Sequence, residues 1–275
     1  MTGTANLRAN PLARAFNRLV GTAGEREHGF QRFLETNTEF LITPFLLNHG
    51  LHFESVISKL PLGQGLITDF AYLTKSSVQW RLVLVEIEKP CTQLFQADKR
   101  QITPHSDFTR CLSQIAAWRD AVERDADSVI SRVAAIRRPL SRNNVDVKYV
   151  LVAGRSPGEH NDQRIPDRLR QLGGNDLQIL TFDSLLRHYL DGRGQRKNIV
   201  IVERTGFRMK YLNTVPGAMF NYVFPHELTL NKEQEHLLLS WGISVKQWRA
   251  GERPDVVRRR GSPLKRGSPV KSTSI

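Results

Sequence analysis

Cysteine is nearly missing from this chain: Cys91 and Cys111 are the two among 275 residues. They have neither metal-ligand spacing nor an evident disulfide role, which fits a reducing compartment. No run approaches the ~18 apolar residues of a membrane span. The first residues carry no secretory-type apolar stretch and are punctuated by Arg8, Arg14 and Arg18. A cytoplasmic protein with no membrane partner is therefore expected. A Gly-rich phosphate loop is also lacking, since GRGQRK at 192–197 does not have its spacing, and so is a Gly-x-Ser-x-Gly turn. Neither an ATPase nor a serine hydrolase is expected. His49, His52, His105 and His160 are scattered without ligand spacing, which argues for surface or core roles.

What the sequence has in excess is positive charge. Lys and Arg number 40 against 27 Asp and Glu, a formal +13. From Gly251 to Ile275 seven basic and two acidic residues give +5, leaving +8 for the rest. The body is thus basic in its own right, which points to a polyanion such as DNA as partner. Charge kept for solubility alone is the competing explanation. Ser262 and Ser268 each open a Ser-Pro-x-Lys segment in a Pro, Gly, Ser and Arg rich tail that reads as disordered. Such segments resemble phosphate-binding arms.

Hydrophobic periodicity places the elements. A short amphipathic helix is expected over 10–20 and a second from Glu25 to Leu34, with Phe30, Phe33 and Leu34 on one face. Extended segments follow at 52–58, 66–73 and 80–88, close enough together for an antiparallel meander. Phe108, Cys111, Leu112, Ile115, Trp118 and Val122 form one stripe of a helix over 107–123. Strands are expected at 147–154, 177–182 and 199–204, with Asp183 as N-cap of a helix after the second of these. A helix is expected within 226–243. This order builds an α/β sandwich.

Two neighbouring strands end in acids. Along 80–88, alternation sends Leu82, Leu84, Glu86 and Glu88 to one face and Val83, Val85 and Ile87 to the other. If the strand at 66–73 pairs with it, Asp69 reaches the same spot. Converging carboxylates repel one another and favour a neutralising cation. A hard ion with oxygen ligands, Mg²⁺ or Mn²⁺, suits them and would activate water against a phosphodiester. Exposed acids salt-bridged to Arg and Lys are the alternative.

Asp69-Phe70, VLVEIEKP at 83–90, and a helix holding Gln114 and Trp118 together resemble the PD-(D/E)XK nucleases. The helix FQRFLETNTEFL, the strand and Gly-Arg of YVLVAGR at 149–155, and TFDSLL at 181–186 narrow this to the C-terminal domain of the Shedu anti-phage family, over roughly Glu25 to Leu190. The resemblance implies a restriction-endonuclease-like α/β/α sandwich around a small mixed sheet. It implies a DNA endonuclease of antiviral defence that forms homo-oligomers. Carried over, Asp69 and Glu86 are metal carboxylates. The third motif position, usually Lys, is Glu88 here, and Lys89 follows directly. Alternation favours Glu88 for that role; a bulge before Pro90 would exchange the two. Gln114 is a candidate hydrogen-bonding residue of the centre, or a surface Gln. Glu27 is a candidate metal ligand from the first helix, or a partner of Gln31 one turn on.

The expected organisation is an N-terminal helical extension (1–24), a nuclease-like domain (25–192), a C-terminal α/β appendage (193–250) and the basic tail (251–275). The functional rivals are a nuclease-fold module that binds DNA or a partner as a sensor without cutting, and a scaffold whose acids only make salt bridges.

Overall fold

The computed structural model describes residues 10–22, 27–96, 102–156 and 164–252. The basic tail beyond Glu252 and His160 lie outside these residues.

The first helix, α1 (Pro11–Gly21), starts behind Asn10, whose side chain accepts from the amides of Leu12 and Ala13 at 3.0 and 3.1 Å. Pro11 fills the first helical position, where no amide donor is needed. Next comes α2 (Glu27–Thr36). The meander is formed by β1 (Ser55–Ser58), β4 (Phe70–Lys75) and β5 (Gln79–Ile87), with antiparallel pairing throughout. Between β1 and β4 the chain makes a separate small hairpin of β2 (Pro61–Gly63) and β3 (Leu66–Ile67). The strand expected over 66–73 is therefore two strands broken at Thr68, whose amide donates to Leu60 O at 2.9 Å.

The long helix α3 (Ser106–Arg124) buries Phe108, Cys111, Ile115, Trp118 and Val122, and the short α4 (Ala126–Ser131) follows it. β6 (Asn144–Val152) then runs parallel to β5. α5 (Arg164–Gly173), which the sequence pattern did not reveal, crosses over to β7 (Leu177–Leu180), parallel to β6. α6 (Phe182–Leu190) is capped by Thr181, not by Asp183 as expected. Thr181 is extended, and its hydroxyl accepts from Ser184 N at 3.2 Å. Asp183 already lies in the first turn, and its carboxylate accepts from Arg155 Nη2 at 2.6 Å and Ser156 N at 2.7 Å.

Residues 193–250 supply β8 (Asn198–Glu203), β9 (Gly206–Tyr211) and β10 (Leu228–Thr229). These strands do not form a sheet of their own. β8 pairs in parallel with β1, and the whole is one eight-stranded mixed sheet in the order β10-β9-β8-β1-β4-β5-β6-β7. The sheet is thus larger than the small one expected. Within the segment 226–243 the α-helix is α7 (Lys232–Ser240), capped by Asn231.

Two apolar cores cover the sheet. One face packs Leu82, Leu84 and Leu151 against Phe108, Ile115 and Trp118 of α3. The other packs Val83, Val85, Ile87 and Val152 against Phe16 of α1, Phe30 and Leu34 of α2, and Phe182 of α6. The result is a three-layer α/β/α architecture. No helix among the described residues is long and apolar enough to cross a membrane.

Gly154 shows why a glycine follows β6. Its φ is +60°, and a Cβ there would lie 2.4 Å from the Thr92 carbonyl oxygen. Its amide donates to Lys89 O at 3.2 Å and its carbonyl accepts from Phe182 N at 3.1 Å. The glycine thereby ties the turn after β5 to the start of α6. Gly154→Ala combines a left-handed backbone with a clash, so urea unfolding should show a loss on the order of 2 kcal/mol or more. Unchanged stability would mean that the turn does not pack this closely.

Candidate active site

β1 and β5 run in the same direction, each antiparallel to β4 between them. Their carboxyl ends flank the amino end of β4, the rim at which open α/β sheets place ligands. Ser58 pairs with Phe70, and Phe70 with Val85. One step further out come Lys59, Asp69 and Glu86, a row that keeps the β1–β4 register, with Lys59 N donating to Asp69 O, and breaks the β4–β5 register by one residue, with Asp69 N donating to Val85 O. Two residues inward on the same line of side chains are Ile57, Ala71 and Leu84, all in the core beneath α3. The row therefore sits on the α3 face, at its edge.

Asp69 is 2% exposed. Its Oδ1 accepts from Lys59 Nζ at 2.5 Å and its Oδ2 from the amide of Ile87 at 2.7 Å. Its own amide donates to Val85 O at 3.1 Å, and its carbonyl accepts from Lys59 N at 3.0 Å. Side chain and main chain of this residue are thus held by both neighbouring strands. Glu86 is also buried, at 6%, and accepts from Gln114 Nε2 of α3. Gln114, at the margin of its helix's apolar stripe, is therefore directed into the site.

Glu88 lies beside Glu86 on the α3 side, against the Cys111 thiol. Burial first, and then the Glu88 carboxylate, push that thiol up to about 12. The ladder with β6 stays in step through Glu88, whose amide donates to Val152 O at 2.8 Å. It then slips: Gly154 N donates to Lys89 O rather than to the Glu88 carbonyl that an unbroken parallel ladder would use. The slip comes after Glu88, and Lys89 is exposed. Glu27 is the first residue of α2, and its side chain lies outside the described residues.

The carboxylates do not close into a cluster of three. Among the described residues, no group of three or more His, Cys, Asp or Glu is placed to hold a metal ion. Asp69 is bonded to the main chain on both sides of Glu86, at Val85 O and Ile87 N, and Glu88 engages Cys111. His52 donates from Nε2 to Ile136 O at 2.8 Å, and burial pushes its imidazole down to about 3.

Several residues that position this row carried no signal in the sequence. Lys59 is one of 40 basic residues and sits in no motif. On the opposite face of the sheet, Gln31 Nε2 of α2 donates at 3.2 Å each to Asp69 O, Ser58 Oγ and Glu35 Oε1. Glu35, 2% exposed, also accepts from Ser58 Oγ at 2.5 Å and is gripped by Lys210 Nζ of β9, at 2.7 Å to each oxygen. The polar residues at helical spacing in α2, Gln31 and Glu35, were the one visible hint of a second buried cluster.

A family model described as Shedu protein SduA, C-terminal, matches residues 24–186. The chain belongs to this family. No curated protein matches it. The Shedu match takes in every residue of the row, together with Gln31, Glu35, Glu88 and Gln114. It ends within α6, so β8, β9 and β10 lie beyond it while completing the same sheet. Lys210 comes from that later segment and closes an ion pair with Glu35 inside the matched one.

The thiols offer a check on this geometry. A maleimide at pH 8 should label the native protein once, at exposed Cys91, because Cys111 is buried and held protonated. Cys91→Ser should abolish native labelling, and urea should release Cys111. Fast labelling of native Cys91→Ser would show that the Glu88–Cys111 contact is not formed.

Proposed function

We propose that this Shedu-family chain is a metal-dependent DNA endonuclease of the PD-(D/E)XK type, acting in anti-phage defence. One observation carries the proposal: Asp69 and Glu86 are both buried at the carboxyl rim of the sheet, Asp69 bonded to the main chain on either side of Glu86, and the two are hydrogen-bonded to Lys59 and Gln114 respectively. Burying two carboxylates in adjacent positions is costly unless positive charge accompanies them. An ammonium already stands against Asp69. The donors are hard oxygens, the set that suits Mg²⁺ or Mn²⁺.

In this reading Asp69 and Glu86 hold the ion, with Glu88 next to them. When bound, the ion supplies Lewis acidity to the scissile phosphate and to water. The chain's own groups do the rest. The amide of Ile87 fixes the direction of the Asp69 carboxylate. Gln114 fixes that of Glu86. Glu88 accepts the proton of the attacking water, a role for which its half-buried position beside Glu86 is suited. The +8 body attracts the DNA backbone. The family resemblance further suggests a homo-oligomer as the working form.

A second reading has its own support. Asp69 is already paired with Lys59, so one of the two buried acids is charge-compensated without an ion. A nuclease-fold module that grips DNA and does not cut it would look the same.

Incubation of the purified protein with supercoiled and linear DNA, in Mg²⁺ or in chelator, separates the two. Cleavage in Mg²⁺ alone is expected, and Asp69→Asn or Glu86→Gln should lower the single-turnover rate by about 100-fold or more. DNA binding should weaken with salt at a logarithmic slope near −0.9 per phosphate contacted. Salt-dependent binding without cleavage in any divalent ion would favour the sensor, and a flat salt titration would remove the nucleic-acid role.

A further inference from the structure

Hydrolysis of a phosphodiester adds negative charge to the phosphate as the transition state forms, and a rim built of Asp69, Glu86 and Glu88 repels both that charge and the DNA itself. A cation aimed at the reacting group is needed to offset it. The basic residues near the rim differ in their fitness for this. Lys89 is exposed and lies beyond the slip in the β5 ladder. Lys210 is bound through both Glu35 oxygens on the opposite face of the sheet. Lys59 alone among these three has its ammonium on the row, 2.5 Å from Asp69 Oδ1.

The placement of Lys59 is specific. Its side chain is 41% exposed while its partner carboxylate is 2% exposed, so the ammonium stands between the buried acids and solvent. Its backbone has φ 55°, a left-handed conformation that costs a lysine on the order of 1 kcal/mol. That bend is held on both sides: Lys59 N donates to Asp69 O at 3.0 Å, and the next amide, Leu60 N, to Thr68 Oγ1 at 3.2 Å. Strain of this kind persists where surrounding contacts over-determine the position, and it points the long side chain across the mouth of the row.

We propose that Lys59 is the phosphate-directed cation of this site, stored at rest on Asp69 and transferred to a non-bridging phosphate oxygen when a divalent ion takes Asp69 Oδ1. The inference rests on the nuclease reading above. It makes Lys59 and the ion competitors for one carboxylate oxygen in the free protein, and partners around the phosphate in the complex. Lys59 offsets the charge of Asp69 without the ion, and would be freed for the substrate with the ion bound. No covalent change at Lys59 is involved.

Two measurements on Lys59→Met and Lys59→Arg test this. Calorimetric titration with Mn²⁺, without DNA, should show Lys59→Met binding the ion at least about 3-fold more tightly than wild type, because the competitor is gone. Single-turnover cleavage at saturating Mn²⁺ should fall by about 100-fold or more in Lys59→Met, with Lys59→Arg recovering part of the loss. Melting curves check that both variants fold, and Lys59→Arg, which keeps the charge on Asp69, carries the test if Lys59→Met does not: its rate should drop while its Mn²⁺ affinity stays near wild type. Cleavage by the variants at the wild-type rate overturns the inference and leaves the nuclease reading standing. If wild type itself never cleaves, the nuclease reading falls, and the titration decides the resting contact: tighter Mn²⁺ binding by Lys59→Met upholds the competition at Asp69, and equal or weaker binding overturns it.

Discussion

Everything at the candidate site hangs on the register of β4 against β5. With Phe70 opposite Val85, Asp69 bonds the main chain on both sides of Glu86, at Val85 O and Ile87 N, and two carboxylates are buried where an apolar pair would be the ordinary occupant. A slip of one residue would turn Asp69 to the other face and dissolve the row. The register is fixed in part by Asp69 itself. Its amide donates to Val85 O, one residue short of the Glu86 carbonyl that a continued ladder would use, and its carboxylate takes the amide of Ile87, which an extended β4 would otherwise have bonded through main chain. The strand ends because its acid has replaced the backbone as acceptor. The same substitution points the second oxygen at Lys59.

The chain around this point keeps it from relaxing. Gln114 approaches Glu86 from α3 on one face, and Gln31 approaches the Asp69 carbonyl from α2 on the other. Behind Gln31, Glu35 is held by Ser58 and by Lys210 of β9. A buried glutamate left without its lysine is strongly unfavourable, so β9 is bound to the site's support by more than its place in the sheet. This connects a strand beyond the Shedu match to the centre of the matched region.

Much of this could be read from residue order, and the reason is periodicity. Alternation along β5 placed Leu82 and Leu84 on the α3 face with Glu86 and Glu88, and Val83, Val85 and Ile87 on the other, as the two cores show. The stripe of α3 likewise follows from spacing alone. What escaped was set by contacts between distant segments. β9, with GFRMKY, alternates apolar and polar residues over only six positions, and its place is given by β8. Lys59 becomes special only when β1 is laid beside β4. Asp183 is a good cap former in the wrong register: Thr181 caps first, and Arg155 claims the aspartate. The hinge between β3 and β4 was invisible because LITDFAYL has the apolar density of one strand, and the break lies in the hydrogen bonding of Thr68 and Asp69.

The central claim is that the Asp69–Glu86 pair is a divalent-cation site. Anomalous diffraction from crystals soaked in Mn²⁺ tests it most directly, because it locates the ion without relying on catalysis. The account predicts one strong peak within coordinating distance of both carboxylates, with Lys59 Nζ displaced from Asp69. Manganese bound elsewhere, with the Lys59–Asp69 pair intact and no density between Asp69 and Glu86, would contradict it.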